Sequence, residues 1–335
     1  MAGTNANVLT NPAVSASGQV DNLLIEKFTG IVHEQFLREE RFESHFSVQD
    51  VTGTNMVTNK SVGDTQLQKL VPGQEPDATS TEYDNHSLVV DTVILARNTI
   101  AMLHDIQSDI QVQQRLAKSQ AKQLVKFQDE VLLTQIIKGA QATSGRVSGM
   151  FGGNRVDLAA ANDEKDSAKY LDALEALVLQ MNEHEVDNMD LTFVCPWEQY
   201  YVLMDDDHLT NADYATGNGG KMTGTVIKAY GFAITPTNRI HQEATGTGAS
   251  GDQGADNHFL SNSGNSFRYN TLTADAGCVG LLFGHDALLV GRTMGVQSDI
   301  YFNKRLKTYF IDSWFSFGCI ADRYEFCGAI HKAAA

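Results

Sequence analysis

The sequence predicts an α+β fold on three observations. The run from Asp105 to Lys138 contains neither Gly nor Pro, which is typical of one long helix. Strand-forming runs rich in Val, Ile, Leu and aromatic residues precede it over 48–97 and return from Cys278 onward. Residues 167–203 carry a helix, strand, helix order between these regions. Taken alone that order fits an α+β or an α/β protein, and the prediction for the whole chain is α+β.

The N-terminal region predicts a tail followed by a short helix. Residues 1–18 are rich in Ala, Asn, Ser, Thr and Gly and contain no charged or aromatic side chain, so we expect no core of their own. From Asp21 onward, apolar residues recur at helical spacing. These residues are Leu24, Phe28, Ile31, Val32 and Phe36.

Residues 48–97 predict a long two-stranded excursion. Strand-like runs at Met56-Val57, Leu67–Val71 and Leu88–Ala96 are separated by Gly63-Asp64 and by the breaker VPGQEPDATS. An isolated ribbon of this kind is marginally stable in water, so it needs a surface to lie on. That surface belongs either to the same subunit or to a neighbouring copy, and we favour the neighbouring copy.

The long helix predicted over Asp105–Lys138 would measure about 50 Å. Asp105, Ser108 or Asp109 can cap its N-terminus, and Gly139 is the expected stop. One face is apolar and the opposite face is basic. The apolar residues are Ile106, Ile110, Ala117, Ala121, Leu124, Val131 and Leu132, and the basic ones are Arg115, Lys118, Lys122 and Lys126.

The rest of the chain predicts a module and a closing sheet. The Gly-rich segment 139–153 follows a helix rather than a strand, so it is interpreted as a linker and not as a phosphate loop. Next come a helix over Ser167–Met181 with Asp166 or Ser167 as its cap, a buried strand over Leu191–Cys195 and a helix after Pro196. Residues 225–240 predict a helical turn ending at Gly231 and a strand over Phe232–Thr235. A polar insert over 243–265 is expected to be a surface loop, and β-rich sequence from Cys278 is expected to close a sheet.

Charge and composition exclude several classes of protein. The 335 residues carry 41 acidic and 25 basic side chains, a net charge of −16, and 15 of the acidic residues against three basic ones lie in 151–215. Such a surface repels nucleic acid. We expect neither a membrane-spanning segment nor a secretory signal. The four cysteines lack metal or disulfide spacing, so we expect reduced thiols.

No motif predicts catalysis. Asp205-Asp206-Asp207-His208 has the residue types of a divalent-cation site, but successive residues do not converge on one point, so a solvated turn is the interpretation. The sequence Gly217–Lys221 invites comparison with the P-loop pattern GxxxxGK[ST]. The match fails because Ala215 stands where Gly is needed and Met222 where Ser or Thr is needed. We therefore expect no enzyme activity, no metal and no cofactor.

Four stretches together resemble the major capsid protein of tailed bacteriophages, most closely the short-tailed podovirus type with the Hong Kong 97-type fold. They are MVTNKSVGDTQLQKLVPGQEP, similar to the family's extended loop; DIQSDIQ…QDEVLLTQI, its spine helix; FVCPWEQYYVLMDDDHLTNADY…GTVIKAYGFAITPTNRI, its axial domain; and VGLLFGHDALLVGRTMGVQSDIYFNKRL…FSFGCIADRYEFCGAI, its peripheral sheet and final strand. Tyr324 stands between Arg323 and Glu325 where relatives often have Pro.

The resemblance implies five segments. They are an N-terminal arm (1–49), an extended loop (50–97), a peripheral domain with the spine helix (98–150), an axial domain (151–284), and peripheral strands with a return strand to the axial domain (285–335).

The resemblance also implies a function and partners. It implies an icosahedral shell of hexamers and pentamers around double-stranded DNA bound without sequence specificity, together with scaffolding, portal and decoration proteins. The expected intersubunit contacts are Leu70, Val71, Pro72, Arg115, Lys118, Lys122, Arg323 and Glu325. Two other functions stay open: an encapsulin-like nanocompartment shell, and a metal-dependent hydrolase that uses Asp205–His208.

Overall fold

A computed structural model describes residues 30–36, 42–69, 72–73, 75, 80–101, 111–186, 191–205, 228–240 and 258–333. The side chains of 111–114 and 228–229 are excepted from that description. The chain forms two compact units. Unit 1 comprises Met1–Arg41, Asp91–Gln128 and Arg292–Phe317, and unit 2 comprises Phe42–Val90, Asp129–Gly291 and Gly318–Ala335.

Four helices lie in the described residues. They are α1 (30–36), α2 (Gln111–Ala140), α3 (Ser167–Glu183) and α4 (Trp197–Met204). Asp166 caps α3 by accepting a hydrogen bond from the Ala168 backbone N–H, as the sequence predicted. Among the described residues, no helix combines the length and the apolar character needed to cross a membrane.

The strands form three sheets. A four-stranded sheet has the order β1-β10-β11-β4, a six-stranded sheet the order β5-β12-β9-β6-β8-β7, and β2 pairs with β3 in a separate ribbon. The strands are β1 (Val48–Asp50), β2 (Met56–Val62), β3 (Tyr83–Val89), β4 (Ile94–Ala101), β5 (Asn154–Asp157), β6 (Thr192–Cys195), β7 (Lys228–Ala229), β8 (Phe232–Pro236), β9 (Cys278–Phe283), β10 (Leu288–Asn303), β11 (Thr308–Ala321) and β12 (Cys327–His331).

Unit 1 is held by a helix-on-sheet contact and by paired strands. β4 and β11 are antiparallel, with Thr308 opposite Ala101 and Phe315 opposite Ile94. The Gln120 side chain of α2 donates to the Ile311 carbonyl at 3.0 Å and accepts from the Ser313 hydroxyl at 2.7 Å. These two bonds satisfy a buried amide that would otherwise destabilise the helix–sheet contact.

Unit 2 contains a large buried apolar cluster between α3, α4 and the six-stranded sheet. Every residue of β9 and β12 is buried. The Tyr170 hydroxyl of α3 donates to the Val279 carbonyl at 2.8 Å, which satisfies it at full burial. Gly280 permits this approach, because a Cβ there would lie 2.8 Å from the Tyr170 hydroxyl oxygen.

Several predicted elements are confirmed. Residues 30–36 are helical with Val32 and Phe36 buried, while 21–29 lie outside the described residues. The apolar and basic faces of the long helix are confirmed for the described residues. Its predicted caps and Ile106 and Ile110 lie outside them. β12 joins β5 on one side and β9 on the other, so the C-terminal segment does close a sheet.

Gly139 is not the helix stop that the sequence predicted. The helix continues to Ala140. Glycine is needed at 139 for close packing, since a Cβ there would lie 2.6 Å from the Cys327 Sγ atom. The four cysteines are free and buried.

Two strand predictions are wrong. The run Leu88–Ala96 is not one strand, because β3 ends at Val89 in the ribbon and β4 begins at Ile94 in another sheet. The helical turn before Gly231 is a hairpin turn: Tyr230 and Gly231 have φ of 48° and 95° between β7 and β8. Of the run Leu67–Val71, residues 67–69 are not strand, and 70 and 71 lie outside the described residues.

Candidate functional site: the hairpin and its clamp

Among the residues that the structure describes, no group of three or more His, Cys, Asp or Glu side chains could hold a metal ion. Asp205 lies exposed at the end of α4, whereas Asp206, Asp207 and His208 lie outside the described residues. The His184 ring stacks on Phe151 at 4.6 Å, which is a packing role.

A cavity of about 350 Å³ lies between two histidines of unit 2. His285 Nδ1 lies 2.7 Å from the His45 carbonyl oxygen, and burial lowers the pKa of His45. Thr192 Oγ1 lies 3.5 Å from His45 Nδ1, a contact at the limit of a hydrogen bond. Two imidazoles and two hydroxyl side chains do not make a metal-ligand set of the usual kind.

The β2–β3 hairpin forms a two-stranded sheet separate from the two larger sheets. Its antiparallel register places Met56 opposite Val89 and Val62 opposite Tyr83. Along β2 the odd-numbered residues, with Ser61 the most buried, face the body of unit 2, and the even-numbered residues are exposed. At the hairpin base, Leu88 packs with Val51, Val90 and Leu289. The described strands therefore lie on their own subunit along their inner face, and the preferred contact with a neighbouring copy stays a prediction.

Arg146 clamps the hairpin to the body of unit 2. Its Nη2 atom donates to the Ala321 carbonyl at 2.7 Å and its Nε atom to the Asp322 carbonyl at 3.1 Å. On the hairpin side, Nη2 lies 3.1 Å from His86 Nε2 and Nη1 lies 3.9 Å from Asp84 Oδ2. The planar guanidinium suits this arrangement because several N–H groups donate from one rigid fork.

The Tyr324 ring packs against the guanidinium group of Arg146. The guanidinium carbon of Arg146 lies 4.5 Å from the centre of the Tyr324 ring, a cation–π contact. Burial raises the pKa of the Tyr324 hydroxyl, so it stays protonated at neutral pH. Tyr324 therefore has a defined structural role in this chain.

The electrostatics of the clamp keep His86 neutral. Burial, and then the positive charge of Arg146, lower the pKa of His86 to about 4. A neutral His86 can accept at Nε2 from the guanidinium, whereas a protonated ring would repel it. Asn59 of β2 donates to Asp322 Oδ2 at 2.6 Å, and burial raises the pKa of that carboxyl group.

A second set of contacts lies at the far end of the strands. The Asp64 backbone N–H donates to the Ser148 carbonyl at 2.9 Å, and the Ser148 N–H donates to Glu82 Oε2 at 3.2 Å. Gly149 has φ of 90°, and a Cβ there would lie 2.1 Å from Asp64 Oδ2. The Gly-rich loop, interpreted from the sequence as a linker, therefore forms the surface on which this end of the hairpin packs.

Beyond these contacts the described residues of the excursion are largely exposed. All residues from Asp64 to Lys69 are exposed, and Leu67 is 98% exposed. Val62 and Tyr83, the last opposed pair, are 53% and 76% exposed. Three large apolar side chains on one projecting segment are a feature of interaction surfaces.

The predicted contact residues fall into three groups. Leu70 and Val71 lie outside the described residues, and Pro72 is exposed. Arg115, Lys118 and Lys122 are all exposed on one face of α2. Arg323 Nε and the buried Glu325 Oε1 are 2.7 Å apart, so that pair is engaged within the chain. The role of all eight residues as intersubunit contacts stays a prediction.

Sequence reasoning missed the clamp. Arg146 is the one charged residue in the segment 139–153, and a lone Arg among Gly and Ser residues was the available signal. The partners Asn59, His86 and Asp322 lie far from it in sequence, so no local pattern could connect them.

No protein-family model matches the chain, and no curated protein is similar to it in sequence. Solved structures do match. The capsid of cyanophage P-SCSP1u superposes with a TM-score of 0.71 at 17% identity, covering 88% of this chain and 89% of that one. The mature capsid of bacteriophage PhiM1 gives a TM-score of 0.72 at 20% identity, covering 88% of each chain. A virus-like particle from Pyrococcus furiosus gives 0.51 at 11% identity, covering 92% and 98%.

These likenesses define the class of fold. The chain has the α+β fold of phage capsid subunits of the Hong Kong 97 type, as the sequence predicted. The individual segments expected from the resemblance, with their boundaries at 49, 97, 150 and 284, stay a prediction.

Proposed function

We propose that this chain is the major capsid subunit of a bacteriophage, a structural protein that assembles with copies of itself into an icosahedral shell. The observation that carries the proposal is the hairpin: its inner face is clamped to its own subunit, while its end projects with Leu67 98% exposed. A capsid fold supports reading that end as a contact with another copy.

The physical argument concerns burial. An exposed Leu is unremarkable by itself, but Val62, Leu67 and Tyr83 share one rigidly anchored projection. Covering them in an assembly removes apolar surface from water, which contributes about 25 cal/mol for each Å². Three side chains contribute a small free energy to one pair of subunits. Repetition of the same contact across a closed lattice multiplies that contribution.

The finer features belong to the same proposal. The subunits form hexamers and pentamers, assembly takes place in the host cytoplasm, and the product is the virion. Scaffolding, portal and decoration proteins are the expected partners, and no catalytic activity or cofactor is involved. Double-stranded DNA is enclosed without sequence-specific binding, because a chain with a net charge of −16 holds phosphate weakly.

The nanocompartment alternative has weaker support. The virus-like particle gives a TM-score of 0.51, against 0.71 and 0.72 for the two phage capsids. The hydrolase alternative has no supporting geometry among the described residues.

The test is to purify the full chain and examine it by sedimentation and negative-stain electron microscopy. We expect hollow particles tens of nanometres across, whereas a small compact monomer at high concentration would overturn the proposal. Isolation of particles from cells distinguishes the two shell functions, since nuclease-protected DNA supports a capsid and a protein cargo supports a nanocompartment. Replacing Asp205, Asp206 and Asp207 with Asn should leave particle formation intact.

A further inference from the structure

The charge of this chain is divided very unevenly between its two units. Unit 1 contains 12 basic and 10 acidic residues, a formal charge of +2, whereas unit 2 contains 13 basic and 31 acidic residues, a formal charge of −18. When identical copies meet, a contact between two units 2 is therefore opposed by charge repulsion. A contact between unit 1 of one copy and unit 2 of another is not.

The positive charge of unit 1 has a defined surface, which we call the basic row. Arg115, Lys118 and Lys122 are exposed on one face of α2, and Lys126 continues the same line. The positions differ by three, four and four residues, so they fall on one face over a length of about 16 Å. No acidic residue of α2 lies within four positions of Arg115, Lys118 or Lys122, so the side chains of the helix do not neutralise these three.

Unit 2 has a matching surface on α3, which we call the acidic row. Asp172, Glu175 and Glu183 are exposed, and the exposed Leu179 lies between Glu175 and Glu183 in the row. The spacing is again three, four and four residues, so this row has the same length and the same angular width as the basic row. Lys169 is the basic residue of α3, and its ammonium group lies 2.6 Å from Asp163, so it does not neutralise the row.

We infer that the basic row of one copy docks against the acidic row of a neighbouring copy in the shell. The inference rests on the proposed function, because it assigns the chemistry of one of its intersubunit contacts. When the two helices run parallel, the spacings coincide and three oppositely charged pairs can form, with Leu179 opposite Lys122. Leu179 then meets the methylene stem of that Lys, which can cover it.

Such a contact is weak and dependent on salt. Exposed ion pairs contribute little individually, and salt screens them over about 10 Å at 0.1 M. Repetition over many copies makes a small contribution decisive for assembly. We expect assembly by this contact to need a higher protein concentration as salt rises.

The experiment reverses each row in the full chain. One variant carries Arg115→Glu, Lys118→Glu, Lys122→Glu and Lys126→Glu, and the other carries Asp172→Lys, Glu175→Lys and Glu183→Lys. Each should raise the concentration needed for half-maximal assembly by about tenfold or more. The matched control changes three exposed acidic residues away from the row, Glu198→Lys, Asp205→Lys and Asp286→Lys. It alters net charge by the same amount as the acidic-row variant and should leave assembly near that of the wild type.

Two further samples identify the partner. A chain with both rows reversed should assemble nearly as well as the wild type. An equal mixture of the two single-row variants should also recover, because every contact between unlike copies then joins opposite charges. Recovery in the doubly reversed chain without recovery in the mixture would mean that the rows pair within one chain, and would overturn the inference.

Other outcomes also decide the matter. If the doubly reversed chain assembles no better than either single variant, or if the acidic-row variant behaves like its control, the inference is wrong. If the basic-row variant forms normal particles that retain less DNA, the row faces nucleic acid instead of a neighbour. Failure of the wild-type chain to form particles would remove the proposed function itself, so the two failures are distinguishable.

Discussion

Strands β12 and β2 differ in how many of their sides are paired and in how deeply their residues are buried. β12 lies between β5 and β9, and all five of its residues are buried. β2 has a strand on one side, and Met56, Thr58, Lys60 and Val62 face away from the body of unit 2. β12 is covered by its own subunit, whereas the outer surface of β2 is exposed. Substitutions in the two regions should therefore separate folding from assembly.

The largest effect on folding should come from Phe193→Ala in the six-stranded sheet. Phe193 is fully buried beside Phe232, so its removal leaves a cavity and should lower the free energy of unfolding by about 3–5 kcal/mol. Urea unfolding of the unassembled subunit measures this. Tyr201→Ala is the control, because that ring is 59% exposed and its loss should change stability by less than about 0.5 kcal/mol. Equal losses for the two variants would contradict the assigned core.

Arg146→Ala should have an intermediate effect. It leaves the Ala321 and Asp322 carbonyls without their donor, which should cost about 2–3 kcal/mol. Backbone amides of β2 and β3 should then exchange hydrogen faster, while those of β9 and β12 change little. Arg146→Lys keeps the charge without the planar fork and should retain part of the protection. Uniformly faster exchange in all four strands would show that Arg146 supports the whole unit rather than the hairpin.

Acid should loosen the clamp by a smaller amount. Because the pKa of His86 is lowered from 6.5 to about 4, the folded state favours the neutral ring. Its contribution to stability is complete above pH 6.5 and is lost as pH falls toward 4. Arg146, Arg268 and Asp84 face the ring, and Asp84 opposes the two arginines. We expect a loss of about 1–2 kcal/mol, less than the full shift because solvent partly screens the ring.

His86→Gln is the control for that pH dependence, since Gln can accept from the guanidinium and does not titrate. Urea unfolding between pH 7 and pH 4 should give a flatter curve for the variant. The pKa of Asp322 is raised, so its protonation favours the folded state at the acid end and reduces the net loss. An unchanged slope in His86→Gln would assign the acid sensitivity to other groups.

Local patterns were sufficient for the parts of the fold that depend on neighbours in sequence. The buried and exposed faces of α2 follow from its 3.6-residue period, and the cap of α3 follows from Asp166. Contacts distant in sequence decided the rest. Leu88–Ala96 has one uniform β propensity, yet it is divided because β3 pairs with β2 and β4 pairs with β11. Gly139 has the sequence signature of a stop and is instead a packing residue, because Cys327 lies against it.

The candidate site divides in the same way. The breaker-rich excursion over 50–97 was visible as a pattern, since a ribbon without a core must lie on something. Its receptor was not visible, because Ser148 and Gly149 lie in a loop whose composition is that of a linker. Which surface a strand packs on depends on tertiary contacts. The sequence indicated only that the hairpin needs such a surface.

The smallest effect on folding and the clearest effect on assembly should come from Leu67→Ser. At 98% exposure, this side chain has almost no contact to lose within the subunit, so the free energy of unfolding should change by less than about 0.5 kcal/mol. If the projection meets another copy, the same change removes an apolar contact at every equivalent position of the shell, and particle yield by sedimentation should fall sharply. Gln66→Ser, one residue earlier and also exposed, should leave the yield unchanged. Normal particles from Leu67→Ser would mean that the end of the hairpin is not an intersubunit contact, because a lattice amplifies even a small loss at a real one.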